Sequence, residues 1–153
     1  MRNPFPIAAV IALVIAGCGA AGGDKNDYVK SLNKAQATLQ QSLSGLGDDI
    51  GAGSSGAQVA AKLENGGSAM DAAAEDFNRI EPPDDAKHAH GKIVDGLHEI
   101  AGTFRDAAEA AKANDLPKAL QTLQDIVQSP GAKEIQEAEA ELKSNGYKVE
   151  DGS

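Results

Sequence analysis

The sequence predicts an all-α protein, an antiparallel bundle of four main helices in which a kink can divide one helix into two. Three observations lead to this fold class. Alanine and glycine are abundant and tryptophan is absent, whereas sheet proteins draw on aromatic and β-branched residues. Apolar residues recur three and four positions apart, which is the spacing of one helical face. The longest of these stretches also repeats every seven residues, as helices that pack side by side do.

Charge and cysteine content restrict the function classes. The 153-residue chain has a formal net charge of −9, and its length suits one domain. An acidic surface repels phosphate backbones and anionic lipid headgroups, so we expect no nucleic-acid binding and no electrostatic adhesion to membranes. A single cysteine allows no internal disulfide, so the fold depends on packing. We expect a monomer.

The amino terminus, residues 1–17, is typical of an export signal. Arg2 supplies a positive charge, and an apolar run of 11 residues follows from Phe5 to Ile15. A membrane-spanning helix needs about 20 apolar residues, so this run is better explained as a signal peptide.

The end of that run decides the kind of signal. Ile15, Ala16, Gly17 and Cys18 resemble the lipobox of bacterial prolipoproteins, an aliphatic residue and two small residues before a cysteine. The resemblance implies a diacylglyceryl thioether on Cys18 and cleavage before it. Two acyl chains suffice for stable anchoring, so we expect an exported protein held on the cell membrane by its lipid. The alternative is an ordinary signal peptide with an incidental cysteine and cleavage after position 20 or 21.

A tether and the first helix follow the cysteine. Residues 18–26 are glycine-rich and predict a short flexible tether. Asp27 is a suitable N-cap, so the bundle is expected to span residues 27–147. Its first helix carries one apolar stripe, formed by Tyr28, Leu32, Ala35, Leu39, Leu43 and Leu46.

The second helix is the least regular element. The glycine-rich stretch 45–56 predicts a loop, and its Gly51-x-Gly53-x-x-Gly56 lacks the preceding strand that a dinucleotide site requires. Beyond it, the sequence Glu64–Ser68 contains two glycines. One kinked helix and two short helices therefore remain open for residues 55–80, with a Ser68-x-x-Asp71 capping box restarting the second. The apolar positions are Val59, Leu63, Met70, Phe77 and Ile80.

The third helix has the strongest pattern. Two prolines and the acidic pair Asp84–Asp85 suit a helix start, and the pattern continues to about residue 113. Two seven-residue series form an apolar seam: Ala86, Ile93, Ile100 and Ala107, and His90, Leu97, Phe104 and Ala111. Such a seam is typical of an antiparallel bundle.

Two shorter helices complete the predicted bundle. The turn 114–117 leads into a fourth helix with Leu116, Leu120, Leu123, Ile126 and Val127. Ser129–Pro130 then reads as the start of a fifth helix, whose apolar positions are Ile135, Ala138 and Leu142. Asn145–Gly146 ends it, with Tyr147 folding back on Leu142 as in a Schellman motif. Residues 148–153 are expected to be frayed, and the charges of the fifth helix are interpreted as a solvated face.

Histidines are the candidate ligands. His88, His90 and His98 share the third helix but not one face, because His88 and His90 are about 160° apart. Asp85-x-x-His88 and Asp95-x-x-His98 have a metal-pair spacing, but a bundle metal site needs ligands from several helices. His90 falls on the seam, where it is either a hydrogen-bonded core residue or a pH-sensitive packing point. A small-ligand or pH-sensing site would use His90, His98 and Phe104.

No catalytic set is recognisable. The cysteine is expected to be acylated, no serine–histidine–aspartate set is assignable, and no Cys-x-x-Cys-His haem motif occurs. We therefore expect no cofactor, no metal and no enzymatic activity.

The leading hypothesis is an envelope lipoprotein. The pattern "EPP…H…IVDGLHEIAGTF" followed by "AND" is similar to small, alanine-rich helical lipoproteins of actinobacterial type. That resemblance implies a habitat rather than an activity. We expect a non-enzymatic interaction module that contacts another envelope protein, with a small-ligand or metal-binding lipoprotein as the alternative.

Overall fold

The computed structural model describes residues 23–44 and 54–148 of the chain, and these residues form an all-α bundle. Five α-helices carry the fold: α1 (Gly23–Leu43), α2 (Gly56–Asn78), α3 (Lys87–Lys112), α4 (Leu116–Asp125) and α5 (Pro130–Ser144). Short 3₁₀ turns precede α3 at Asp84–Ala86 and follow α4 at Ile126–Gln128. Within the described ranges, no helix combines the length and apolar character needed to cross a membrane.

Helix α3 is the central rod, and its neighbours run antiparallel to it. Gly56 of α2 lies beside Ala111 near the end of α3, and Gly67 of α2 lies beside Ala101. Residue numbers thus increase along α2 as they decrease along α3. On another side, α4 and α5 follow α3 in sequence and both pack against it. Together they form the fourth rod of the bundle, broken at Ile126–Ser129, so the predicted four-rod architecture is confirmed.

Helix α1 begins earlier than the sequence indicated. It starts at Gly23, so the prediction of an N-cap at Asp27 is wrong. Asp27 lies inside the helix, where its carboxylate pairs with Lys30 at 3.1 Å. The reason is tertiary: Lys25, in the added turn, is bonded to Asp85 and to the carbonyl of Asn145. The predicted stripe is buried from Tyr28 to Leu39, whereas Leu46 lies outside the described residues.

Helix α2 is one continuous helix, which decides between the two predicted alternatives. Ser55 caps it through a capping box with Gln58. Ser68 does not restart a helix, because its hydroxyl donates to the carbonyl of Glu64 at 2.9 Å. The interior glycines are buried, and a Cβ at Gly67 would lie 3.3 Å from the carbonyl oxygen of Ala101. Close packing on α3 therefore offsets the low helix propensity of glycine.

The predicted seam of α3 is confirmed, because all eight of its residues are buried. The packing of α3 against α5 depends on one glycine from each helix, Gly96 of α3 and Gly131 of α5. A Cβ at Gly96 would lie 2.6 Å from the carbonyl oxygen of Gly131 and 2.8 Å from Cγ1 of Ile135. A Cβ at Gly131 would in turn lie 2.5 Å from the carbonyl oxygen of Gly96. The two backbones are in direct contact at this crossing.

The apolar stripe of α4 differs from the predicted one. Ala119, Leu123 and Ile126 face the core, while Leu120 and Val127 are 37% and 44% exposed. Each exposed residue follows a buried one directly, and one position turns a helix by about 100°. Including Leu120 and Val127 among the core positions was therefore wrong.

The predicted ends of α5 are confirmed. The hydroxyl of Ser129 accepts from the amide of Ala132 at 3.2 Å. At the other end Gly146 has φ +84°, the left-handed conformation that glycine adopts without strain. The amide of Tyr147 donates to the carbonyl of Leu142 and that of Gly146 to Lys143, both at 3.0 Å. This pair of bonds is the Schellman motif.

Candidate functional site

One end of the bundle gathers buried aromatic side chains and partly exposed charged side chains from three elements. Helix α1, the start of α3 and the segment after α5 meet there. The participating residues are Lys25, Tyr28, Asp85, His90, Asn145 and Tyr147, which we call the tyrosine–histidine cluster. It contains both tyrosines of the chain, and it lies at the end where α1 begins.

The inner part of the cluster is a tyrosine–histidine pair. The Tyr28 hydroxyl oxygen is 3.0 Å from Nδ1 of His90, and the two rings are tilted with centroids 5.8 Å apart. Tyr28 is 3% exposed and His90 is 6% exposed. The other ring nitrogen of His90, Nε2, is also buried and has no hydrogen-bond partner within the described residues. The prediction that His90 lies in the seam is confirmed.

The outer part of the cluster is built on Asp85. Its carboxylate accepts from the Lys25 ammonium group and, at 2.7 Å, from the Tyr147 hydroxyl. Its main-chain carbonyl accepts from the Asn145 side chain at 2.6 Å. Lys25 also lies 4.6 Å above the centroid of the Tyr147 ring, and that ring meets Tyr28 edge-on with centroids 5.7 Å apart.

Burial and charge set the protonation states of the cluster. Burial raises the pKa of Tyr28, so its phenol is neutral and keeps its proton. Burial lowers the pKa of His90, although the nearby Phe77 carbonyl favours the protonated ring. Hydrogen bonds from Lys25 and then Tyr147 lower the pKa of Asp85. Tyr28 and His90 are covered by protein, so this pair serves as a joint between helices and is closed to an external substrate.

The remaining histidines lie outside this cluster. His98 is on the surface, with Nδ1 3.2 Å from Oδ1 of Asp71, which also pairs with Arg105. His88 is exposed and its Nδ1 is 2.7 Å from Oε2 of Glu141 on α5. Each histidine thus has its own partner on a different helix, as the angular spacing along α3 indicated.

The predicted ligand residues are not brought together. Phe104 is buried against Gly67 of α2, fourteen residues along α3 from His90, or about 21 Å at 1.5 Å per residue. His98 faces solvent between them. Among the residues that the structure describes, no three histidine, cysteine, aspartate or glutamate side chains are grouped closely enough to hold a metal ion.

The acidic face of α5 is partly a helix–helix contact. Glu137 pairs with Lys92 of α3 at 2.8 Å, which lowers the pKa of Glu137 and raises that of Lys92. Glu141 reaches His88 in the same way. The interpretation of this face as wholly solvated was therefore too simple.

The predicted lipidation site lies outside the described residues. This holds for Cys18 and for Ile15, Ala16 and Gly17 of the predicted lipobox, as well as for Gly51 and Gly53 of the glycine-rich stretch and for the tail after residue 148. The structure shows how closely the bundle follows the cysteine in sequence: α1 begins at Gly23, five positions after Cys18.

Sequence reasoning missed the partners within the cluster. Asp85 was interpreted as a helix-start residue, and Tyr28 and Tyr147 as core residues. One signal was available, because a buried tyrosine usually finds a hydrogen-bond partner for its hydroxyl.

Comparisons of the chain with protein-family models, curated proteins and solved structures find no match.

Proposed function

We propose that the chain is an exported envelope lipoprotein, anchored by lipid on Cys18, whose helical bundle is a non-enzymatic interaction module. The observation that carries the proposal is the Ile15–Cys18 lipobox placed immediately before a folded bundle. Membrane attachment then needs no spanning helix, since a diacylglyceryl group supplies two acyl chains.

The distance from the anchor to the bundle supports this arrangement. Four residues separate Cys18 from Gly23, and extended chain covers at most about 3.6 Å per residue. The start of α1 would therefore lie within about 18 Å of the lipid-bearing residue. The tyrosine–histidine cluster joins that start to α3 and to the end of α5. A force applied at the anchor would therefore be distributed over these three elements of the bundle.

The anchor is tested by metabolic labelling with a clickable palmitate analogue, followed by membrane fractionation. Wild type should be labelled and sediment with membranes, whereas Cys18→Ser should be unlabelled and either unprocessed or released. Ala21→Ser is the matched control, because it lies beyond the lipobox and should behave as wild type. A Cys18→Ser protein that is cleaved normally and stays on membranes would contradict the proposal.

The interaction part is tested by chemical cross-linking in intact cells. The anchored protein should give a discrete adduct with one envelope protein, and Cys18→Ser should give less of it because the variant is no longer concentrated at the membrane. Independent cross-linkers that all yield only the uncoupled chain would count against an interaction module.

The alternative function, a small-ligand or metal-binding lipoprotein, gains no support from the contacts. Its three residues occupy separate environments: His90 bonds to Tyr28, His98 bonds to Asp71, and Phe104 packs on α2. Metal analysis of the purified protein and thermal shift against a ligand panel would test it. A stoichiometric metal, or a specific rise in melting temperature, would favour it over the interaction module.

A further inference from the structure

We propose that Tyr28 and His90 form a proton-operated latch, which holds the turn of α1 around Tyr28 on α3 at neutral pH and releases it when His90 is protonated. The rest of the bundle stays folded. This inference goes beyond the proposed function and holds whether or not Cys18 carries lipid.

The neutral state follows from the hydrogen-bond donors. Nδ1 of His90, 3.0 Å away, is the hydrogen-bond partner of the buried Tyr28 hydroxyl. The phenol keeps its proton, so the hydroxyl donates and Nδ1 accepts. A neutral imidazole carries one proton, which therefore lies on Nε2. That nitrogen is buried and has no hydrogen-bond partner within the described residues, although the nearby Phe77 carbonyl of α2 favours a protonated ring.

Protonation of His90 disrupts this arrangement. A proton on Nδ1 would face the proton of the Tyr28 hydroxyl, so the hydroxyl would have to turn and accept, leaving its own proton in apolar surroundings. An unpaired buried donor is costly. The charge also gains no carboxylate, because Asp85, the acid of the same cluster, is already bonded to Lys25 and Tyr147.

The groups around His90 determine whether the latch is weakened or strengthened as the pH falls. They are Tyr28 from α1, the Phe77 carbonyl from α2, and Tyr147, which contacts Tyr28 from beyond α5. The pKa of His90 is lowered by burial, so the latch is fully closed above the ordinary histidine pKa of about 6.5 and weakens as the pH falls below it. The pKa of Asp85 is lowered too, so its bond with Lys25 persists in this range.

Release is local because of how α1 is held. Among the described helices, α2 is the one along which the backbone of α1 lies closest. Lys25 and Tyr28, in the first two turns of α1, make polar contacts with the start of α3. Leu32 and Leu39, farther along α1, are fully buried. Loss of the latch therefore frees the turn of α1 around Tyr28, whereas the Lys25–Asp85 bond before it and the buried Leu32 after it stay in place.

Hydrogen exchange of the full-length chain in detergent tests the latch. Exchange rates at pH 7.5 and pH 5.0 are corrected for the intrinsic pH dependence, and histidine titrations are followed by NMR in the same samples. Protection in the turn of α1 around Tyr28 should fall about fivefold or more at the lower pH, which corresponds to leaving a buried hydroxyl without an acceptor. Protection in the middle of α3 should not change.

Two variants separate the latch from general acid sensitivity. His90→Gln retains a polar side chain that does not titrate, so α1 protection should become independent of pH. His98→Gln, an exposed histidine on the same helix, should behave as wild type. In the wild type, the midpoint of the change in α1 should coincide with the titration of His90, a comparison that requires no variant. Constant protection of α1, equal losses in α3, or pH dependence that survives in His90→Gln would each overturn the proposal.

Discussion

The glycine contact between α3 and α5 allows the helix packing to be tested with a single methyl group. In Gly96→Ala the new Cβ would lie 2.6 Å from the carbonyl oxygen of Gly131 and 2.8 Å from Ile135. Both distances are well below van der Waals contact, and the oxygen belongs to a helix backbone that cannot rotate away. Separating the two helices costs about 1–3 kcal/mol, against about 1 kcal/mol gained from the helix propensity of alanine. We expect the free energy of unfolding to fall by up to about 2 kcal/mol, the difference between these two contributions.

Gly102→Ala is the matched control on the same helix. A Cβ at Gly102 meets nothing within 4 Å, so the variant keeps the propensity gain of about 1 kcal/mol and should be more stable than wild type. The assay is urea unfolding followed by circular dichroism at 222 nm. Gly96→Ala with Gly131→Ala should cost less than the sum of the single changes, because both act on one contact. Equal stabilisation by Gly96→Ala and Gly102→Ala would refute the close crossing of α3 and α5.

Three further substitutions test the core, a helix cap and the cluster. Leu97→Ala should lower the free energy of unfolding by about 2–5 kcal/mol, because the side chain is 1% exposed in the seam. A loss below about 0.5 kcal/mol would mean that Leu97 is not a core residue of the seam. Ser55→Ala should cost about 1 kcal/mol by removing the cap of α2, while Ser68→Ala on the same helix should change stability little; equal effects in urea melts would contradict the capping box. Tyr147→Phe keeps the ring and removes the hydroxyl that donates to Asp85, so the pKa of that carboxyl should rise in an NMR titration; an unchanged value would show that the hydrogen bond is absent in solution.

The regular parts of the fold could be predicted because their signals are local. The seam of α3 repeats every seven residues, and the structure buries all of it. The end of α5 was predictable for the same reason, since Gly146 and Tyr147 adjoin the last helical turn.

The elements that sequence reasoning left open or misplaced depend on tertiary contacts. Gly66 and Gly67 weaken a helix locally, yet α2 passes through them unbroken because Gly67 lies against α3. Helix α1 gains a turn at its start because Lys25 finds partners far away in the sequence. Neither contact can be predicted from the helix propensities of the local sequence.

The candidate site was predictable only in part. Periodicity placed His90 in the seam, but its partner Tyr28 is 62 positions away in the sequence, and spacing within one helix carries no information about another. The same limit explains Phe104 and His98, which share α3 with His90 and occupy unrelated environments. A set of residues on one helix becomes a site only when the neighbouring helices are known.

The proposed lipidation of Cys18 is tested most directly by the intact mass of the mature protein, extracted from membranes of the producing cell. The account predicts a polypeptide that begins at Cys18, with an added mass of a diacylglyceryl group that fragmentation assigns to the first residue. An unmodified thiol at Cys18, or a mature chain that begins at any other residue, would contradict it.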